Sequence, residues 1–185
     1  MIRAAFAALL LAAGCAATKA DVVPAGGVHE YRGASAELPP GWLRIEPFDG
    51  LVATRVGFPL QQIRISRYAV GLWKGLEGAA SSEYAEMLAG SFDGARHEME
   101  LLEVRPATLG GLAATRMTYR WTQGGLSYTS VSVCAVDGAR LWLATYSAPT
   151  RHYWARDLAT FDQVLASIRI APPPGPTSAG ERRRE

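Results

Sequence analysis

The stretch LAATRMTYRWTQGGLSYTSVSVCAVDGARLWLATY, residues 112–146, specifies the central part of this fold. Polar and apolar side chains alternate along its first strand, in the run Thr115-Arg116-Met117-Thr118-Tyr119-Arg120-Trp121. A period of two residues is typical of a strand with one face in the core. Gly124-Gly125 and Asp137-Gly138 interrupt the pattern where hairpin turns are expected, because these residue types accept a positive φ. We therefore predict three antiparallel strands, Leu112–Trp121, Ser127–Val136 and Leu141–Tyr146.

Shorter strand patterns precede this meander, and glycine or proline turn signals separate them. In one of these patterns Ile63 and Ile65 alternate with Arg64 and Ser66, as in a half-buried strand. The predicted strands are Trp42–Ile45, Leu51–Arg55, Leu60–Tyr68 and Glu98–Arg105.

Two other stretches have the spacing of amphipathic helices. The first begins at the capping residues Ser81-Ser82 and ends near Gly90 or Gly94. The second begins near Thr150, and Arg169-Ile170 either continues it or forms a short closing strand. Its apolar residues are Trp154, Leu158, Phe161, Leu165 and Ile168, and its predicted outer side carries Asp157 and Asp162. A central antiparallel sheet with two amphipathic helices belongs to the α+β class, in which helices cover at least one sheet face.

Several structural motifs resemble the PsbP-like superfamily. They are the start Leu38-Pro39-Pro40-Gly41-Trp42, the turn Thr108-Leu109-Gly110-Gly111, the meander end Tyr146-Ser147-Ala148-Pro149 and the final helix Trp154–Ile168. This superfamily includes the PsbP protein of photosystem II, a Ran-binding nuclear import factor and bacterial exported lipoproteins. The resemblance covers about residues 34–170 and implies an α-β-α sandwich that acts as a non-catalytic scaffold. It carries over no functional residue.

The N-terminus resembles the signal peptide of a bacterial lipoprotein. After Met1-Ile2-Arg3 comes an apolar run, residues 4–13, that is too short to span a bilayer. It ends in Leu11-Ala12-Ala13-Gly14-Cys15, which looks like a lipobox, although the leucine usual three places before the cysteine is Ala12 here. The resemblance implies cleavage before Cys15 and lipidation of its thiol. The resulting acyl chains exceed the two that stable membrane attachment requires.

A second cleavage site stays open. An ordinary signal peptidase would cut after Thr18-Lys19-Ala20, which gives a soluble periplasmic or secreted protein that begins at Asp21. We expect the lipoprotein route, because polar residues that should precede such a site are scarce before Cys15. In a Gram-negative host, Ala16 in place of aspartate implies the periplasmic face of the outer membrane.

Composition divides the chain into four regions. They are a signal peptide at 1–14, a flexible tether at 15–33, a folded domain at 34–170 and a Pro-rich disordered tail at 171–185. With 49% hydrophobic and 19% charged residues, the body is expected to fold rather than to remain disordered. The formal charge of only +2 argues against a nucleic-acid partner, which requires a concentrated basic face.

No pattern predicts catalysis, a metal or a cofactor. His29, His97 and His152 lack the spacing of metal ligands. Cys134 lies inside a predicted strand without a cationic neighbour or a helix N-terminus, which favours a buried apolar role over a reactive thiol. Because Cys15 is assigned to the lipid, no intramolecular disulfide is expected. We therefore expect no enzyme.

One surface is a candidate for ligand or partner binding. Arg116 and Arg120 share a strand face, and Arg64 lies on another strand with a similar alternation. If these strands are neighbours, the arginines, together with Trp42 or Trp142, could hold an anionic ligand or a partner's carboxylate. The alternative is a solvated strand face in a chain rich in arginine.

The sequence thus favours a lipid-anchored bacterial envelope protein that acts as a binding or assembly module. Its expected partners are the membrane, through the lipid anchor, and an envelope protein. The alternative is a carrier or sensor of a small apolar or anionic ligand, bound between sheet and helix in a pocket lined by Trp and Tyr.

Overall fold

The computed structural model describes residues 21–46, 50–55, 61–70, 80–93 and 99–172. The strands in these residues are β1 Asp21–Pro24, β2 Gly27–Tyr31, β3 Ala34–Leu38, β4 Leu43–Glu46, β5 Leu51–Thr54, β6 Gln62–Ala69, β7 Met99–Leu109, β8 Leu112–Gln123, β9 Leu126–Asp137, β10 Arg140–Pro149 and β11 Arg169–Ile170. The helices are α1 Ser81–Asp93 and α2 Trp154–Ser167.

The strands form two antiparallel sheets. The larger sheet has eight strands in the order β1-β4-β5-β6-β10-β9-β8-β7, and the smaller has the order β11-β3-β2. The predicted meander is confirmed, because β8, β9 and β10 are consecutive neighbours in the larger sheet. Gly124, Gly125 and Gly138 have positive φ at its two turns, as the turn signals predict. The fold is therefore α+β, built on antiparallel sheet.

The two faces of the larger sheet pack against different helices. The face that carries Trp142, Ala144 and Tyr146 of β10 packs against Phe161 of α2 and is called the α2 face. The opposite face, which carries Leu141 and Leu143, packs against Tyr84 of α1 and is called the α1 face. Alternation along β10 sends successive side chains to opposite faces, so that one strand contributes to both cores.

The structure departs from the sequence-based boundaries in two places. Residues predicted to belong to a tether form β1 and β2, which pair with β4 and β3. Asp157, predicted on the outer side of the second helix, is buried at 2% exposure, because arginines surround its carboxylate. The predicted closing strand is β11. The signal peptide at 1–14, Cys15 and most of the predicted tail lie outside the described residues.

Candidate functional site

Two of the predicted surface arginines lie together on the α2 face, and each has an acidic partner. Arg116 donates to Asp162 of α2 at 2.7 Å, and its side chain is only 11% exposed. Arg120 donates to Glu100 of β7 at 2.8 Å. The negative charges of Asp162 and Glu100 offset the positive charges of the two arginines, which an external anion would need for binding. These arginines therefore tie the sheet to its neighbouring elements.

The other predicted residues do not join them. The pairing of β10 with β6 places Arg64 opposite Thr145, on the α1 face. Trp42 and Trp142 are both buried, with exposures of 1% and 0%, so their rings belong to the core. The five predicted residues therefore do not converge on one surface, and Arg64 belongs to a different one.

Polar side chains are grouped near Arg64 on the α1 face, and two of them, Ser130 and Ser132, are buried. Four hydroxyls from two neighbouring strands form what we call the hydroxyl floor: Ser130, Ser132, Thr145 and Ser147. Across the strands, Ser130 Oγ lies 2.6 Å from Ser147 Oγ, and Ser132 Oγ lies 3.0 Å from Thr145 Oγ1. Arg64 stands beside the floor and donates from Nε to Ser66 Oγ at 2.8 Å.

Two aromatic residues of β8 bound the hydroxyl floor. The indole Nε1 of Trp121 donates to Ser130 Oγ at 2.9 Å, and Tyr119 Oη lies 3.2 Å from Ser132 Oγ. Burial raises the pKa of Tyr119, so its phenol keeps its proton at neutral pH. An indole can only donate, so Ser130 accepts from it and its own proton is available to Ser147. The half-buried Ser147 can then offer its proton to an acceptor outside the protein.

Sequence reasoning missed this hydroxyl floor although part of its signal is visible. Ser130 and Ser132 alternate with Val131 and Val133, which places both hydroxyls on one face. Their alignment with Thr145 and Ser147 depends on the register between β9 and β10. No single segment contains that information, so the cluster appears only once the strands are paired.

A charged cluster holds the start of α2 against the sheet. Asp157 Oδ1 lies 3.1 Å from Arg55 Nη2, and its Oδ2 accepts from Nε and Nη2 of Arg156 at 3.0 and 2.8 Å. Arg156 also donates to Gln61 Oε1 at 3.0 Å. Burial and the negative charge of Asp157 both raise the pKa of Tyr146, whose hydroxyl donates to the carbonyl of Tyr153. These ion pairs and hydrogen bonds join the start of α2 to Arg55 and Gln61 and so serve the packing of α2.

The outer edge of the larger sheet is apolar and exposed. Among the described strands β7 is the last on its side, and all residues from 100 to 106 are exposed. Leu101, Leu102 and Val104 are 47%, 41% and 48% exposed. Glu103 and Arg105 flank Val104 and lie 3.3 Å apart. An exposed edge of this kind can accept a further strand.

A groove of about 270 Å³ lies between β3 and α2. Its lining residues are Glu37, Leu38, Pro39, Pro40, Thr160, Gln163 and Val164. The lining contains neither Trp nor Tyr, so it does not correspond to the aromatic pocket expected from the sequence. Glu37 is its single ionisable residue, and the groove therefore offers little to an anionic ligand.

The cysteine and the histidines are the remaining candidates for reactive or metal-binding groups. Cys134 is fully buried, and burial raises the pKa of its thiol to about 12. His29 Nδ1 lies 3.1 Å from Arg44 Nη1, and its Nε2 lies 3.1 Å from the carbonyl oxygen of Ala25. His152 is exposed, and His97 lies outside the described residues. Within the described ranges, no three His, Cys, Asp or Glu side chains are placed to hold a metal ion.

This architecture defines an α+β protein with a large antiparallel sheet and two helices, and it is similar to several solved structures. CyanoP, the cyanobacterial PsbP of Synechocystis, is 11% identical, with a TM-score of 0.57 over 85% of this chain and 95% of that one. LpqN of Mycobacterium tuberculosis, involved in cell envelope biogenesis, is 16% identical, with a TM-score of 0.55 over 84% and 93%. A Pseudomonas aeruginosa protein of unknown function is 16% identical, with a TM-score of 0.53 over 80% and 96%.

The fold is therefore PsbP-like, as the sequence motifs predict. At these identities the likeness concerns the fold alone. No family model and no curated protein matches the sequence. Neither helix of the described residues is long and apolar enough to cross a membrane.

Proposed function

We propose that this protein is a lipid-anchored component of the bacterial envelope, in which a PsbP-like α-β-α sandwich acts as a non-catalytic binding or assembly module. The observation that carries the proposal is the exposed edge strand β7, with Leu101, Leu102 and Val104. The likeness to LpqN, a protein involved in envelope biogenesis, supports the same compartment. In this proposal the membrane partner is reached through Cys15, and an envelope protein is reached through the sheet edge.

The position of β1 would hold the domain close to the membrane. β1 begins at Asp21, so five residues separate it from Cys15, and the six steps between them span about 20 Å when fully extended. β1 and β7 are the opposite edges of the larger sheet. Seven strand spacings separate them, roughly 30 Å at about 4.8 Å each. An anchor at Cys15 would therefore leave β7 free to meet a partner.

Replacing Cys15 by serine tests the anchor. We expect the wild-type protein to sediment with membranes and to dissolve only in detergent, whereas the Cys15→Ser variant loses the acylated form and this membrane retention. Each buried methylene group of an acyl chain contributes about 0.8 kcal/mol to membrane binding, and the variant loses that contribution. Fractionation, combined with mass analysis of the mature N-terminus, measures both changes.

The matched control is Cys134→Ala, which removes the buried thiol and should leave the protein acylated in the membrane fraction. An unmodified mature N-terminus at Asp21 in the wild-type protein would contradict the lipid anchor. It would support cleavage after Ala20 by an ordinary signal peptidase instead.

The hydroxyl floor favours a second candidate, a carrier or sensor of a small ligand. Its polar character, with Arg64 opposite Thr145 on the neighbouring strand, suits an anionic ligand rather than an apolar one. The site lies on the α1 face of the larger sheet. This candidate is compatible with a lipid anchor.

Native mass spectrometry of protein purified from its own host tests the carrier. We expect the wild-type protein to carry a bound ligand. The ligand-bound fraction should fall several-fold in the Ser147→Ala variant, because a charge-assisted hydrogen bond contributes about 1.5–3 kcal/mol. Ser127→Ala, on the same sheet but away from the hydroxyl floor, should retain the ligand. A bare mass for the wild-type protein would contradict this function.

A further inference from the structure

We propose that the occupant of the β7 edge is a second copy of this chain, paired antiparallel about a two-fold axis at Val104. This inference rests on the proposed function in one respect, that the β7 edge serves assembly. It identifies the interface residues, the register and the symmetry of the assembly.

The direction of the backbone groups is the first support. The turn between β7 and β8 has two residues, Gly110 and Gly111, so Leu109 and Leu112 at its base form a hydrogen-bonded pair. Hydrogen-bonded pairs then recur at every second residue of β7, so the N–H and C=O groups of Arg105 point towards β8. The N–H and C=O groups of Val104 point away from β8. Two copies of Val104 can exchange both hydrogen bonds across the axis.

Pro106 agrees with this assignment. Pro106 lies two residues from Val104, so its backbone groups point in the same direction, away from β8. Its nitrogen, which has no hydrogen, is therefore on the outer side of the strand, where proline is tolerated. Its carbonyl remains an acceptor. The register shift between Leu101 and Glu103 ends the regular part of the strand on the N-terminal side of Val104. The pairing is therefore centred on a short segment and should give a weak, reversible dimer.

Charge complementarity selects the register. With Val104 on the axis, Glu103 of each copy is opposite Arg105 of the other copy. These pairs are of the non-hydrogen-bonded type, in which opposing side chains come closest. Both residues are about half exposed, and their side chains already approach each other to 3.3 Å within one chain. A shift by two residues would lose both intermolecular pairs.

Apolar burial is the third support. Leu101, Leu102 and Val104 expose large apolar side chains on a single strand. In the paired state the two copies of Val104 face each other on the same side of the joined sheet. An edge strand with this composition is normally blunted or covered. A second copy covers the same residues on both partners because the interface is isologous.

Disulfide cross-linking of the full chain in its own envelope tests the register. The Val104→Cys variant should form a disulfide-linked dimer under mild oxidation, because Cα atoms paired across an antiparallel ladder are about 5.5 Å apart, within disulfide range. Thr108→Cys, exposed on the same strand, is the matched control. Its two copies would be roughly 27 Å apart in this register, so it should stay monomeric.

Charge reversal in the Val104→Cys background separates pairing from chance collision. Glu103→Arg alone places like charges opposite each other twice and should reduce the cross-linked fraction on the order of tenfold. Adding Arg105→Glu restores opposite charges and should restore the dimer. Equal cross-linking in all three variants, or in the Thr108→Cys control, would overturn the proposal. So would the absence of any dimer in Val104→Cys.

The outcome is independent of the anchor. An unmodified mature N-terminus at Asp21 in the wild-type protein, with the cross-link retained, would contradict the lipid anchor and leave the interface intact. A correctly acylated protein without the cross-link would remove the second copy and keep the anchor.

Discussion

Replacing Phe161 by alanine is expected to lower the free energy of unfolding by about 3–5 kcal/mol. Phe161 is completely buried, and its ring stacks on Tyr146 of β10 with 5.8 Å between ring centroids. It is a central contact between α2 and the sheet, so its removal takes away apolar burial and leaves a cavity at that junction. Urea unfolding followed by tryptophan fluorescence measures the change, because Trp142 and Trp154 lie in the same core cluster.

Gln163→Ala provides the control for this variant. Gln163 lies on the exposed side of the same helix, so its truncation should change stability by no more than about 0.5 kcal/mol. Phe161→Leu keeps much of the volume and should fall between the two. If Phe161→Ala costs less than about 1 kcal/mol, α2 is not packed on Tyr146 as described.

The buried thiol of Cys134 should make the protein less stable at alkaline pH. Burial raises its pKa from 9.0 to about 12, so the folded state keeps a proton that the unfolded chain has lost. The free energy of unfolding is unaffected well below pH 9. It then falls by up to about 1.4 kcal/mol per pH unit until the folded pKa is reached. Denaturant titrations between pH 7 and pH 10 follow this decline before the tyrosines contribute.

In the Cys134→Ala variant this part of the alkaline decline should disappear. Tyr119 and Tyr146, whose pKa values are also raised, begin to destabilise both proteins as the pH approaches their ordinary pKa of 10.0, so the difference between the two curves isolates the thiol. Parallel curves for the two proteins below pH 10 would contradict a thiol held neutral by burial. The same burial predicts that a thiol reagent modifies the folded protein more slowly than the unfolded chain at pH 8.

Much of the sheet could be predicted because its signals are local. Two-residue turns and a strict period of two lie within 112–146, so the strands β8 to β10 follow from adjacent residues alone. β1 and β2 were missed because each is short and its partner strand, not its own pattern, stabilises it. Val28, for example, is 71% exposed within β2. A strand of this kind has no apolar face that a sequence pattern could reveal.

The candidate sites divide in the same way. The opposition of Arg116 and Arg120 to Met117 and Tyr119 was predicted, and the structure places these two sets on different faces. Helical spacing gives the position of Asp157 around the axis of α2 but not which residues pack against that position. For this reason Asp157 was expected to face outward. Arg55 follows β5, about one hundred residues earlier in the chain, and contacts that carboxylate.

The amino-acid pattern alone predicted an α+β domain with a meander at its centre and a PsbP-like order of elements. Period and turn chemistry act between neighbouring residues, so they are readable without coordinates. The meeting of distant strands required the tertiary structure: Arg64 is separated from Arg116 because the register of β6 on β10 sends it to the α1 face. The hydroxyl floor and the outward groups of Val104 have the same origin. Each depends on pairing between strands, which no local preference encodes.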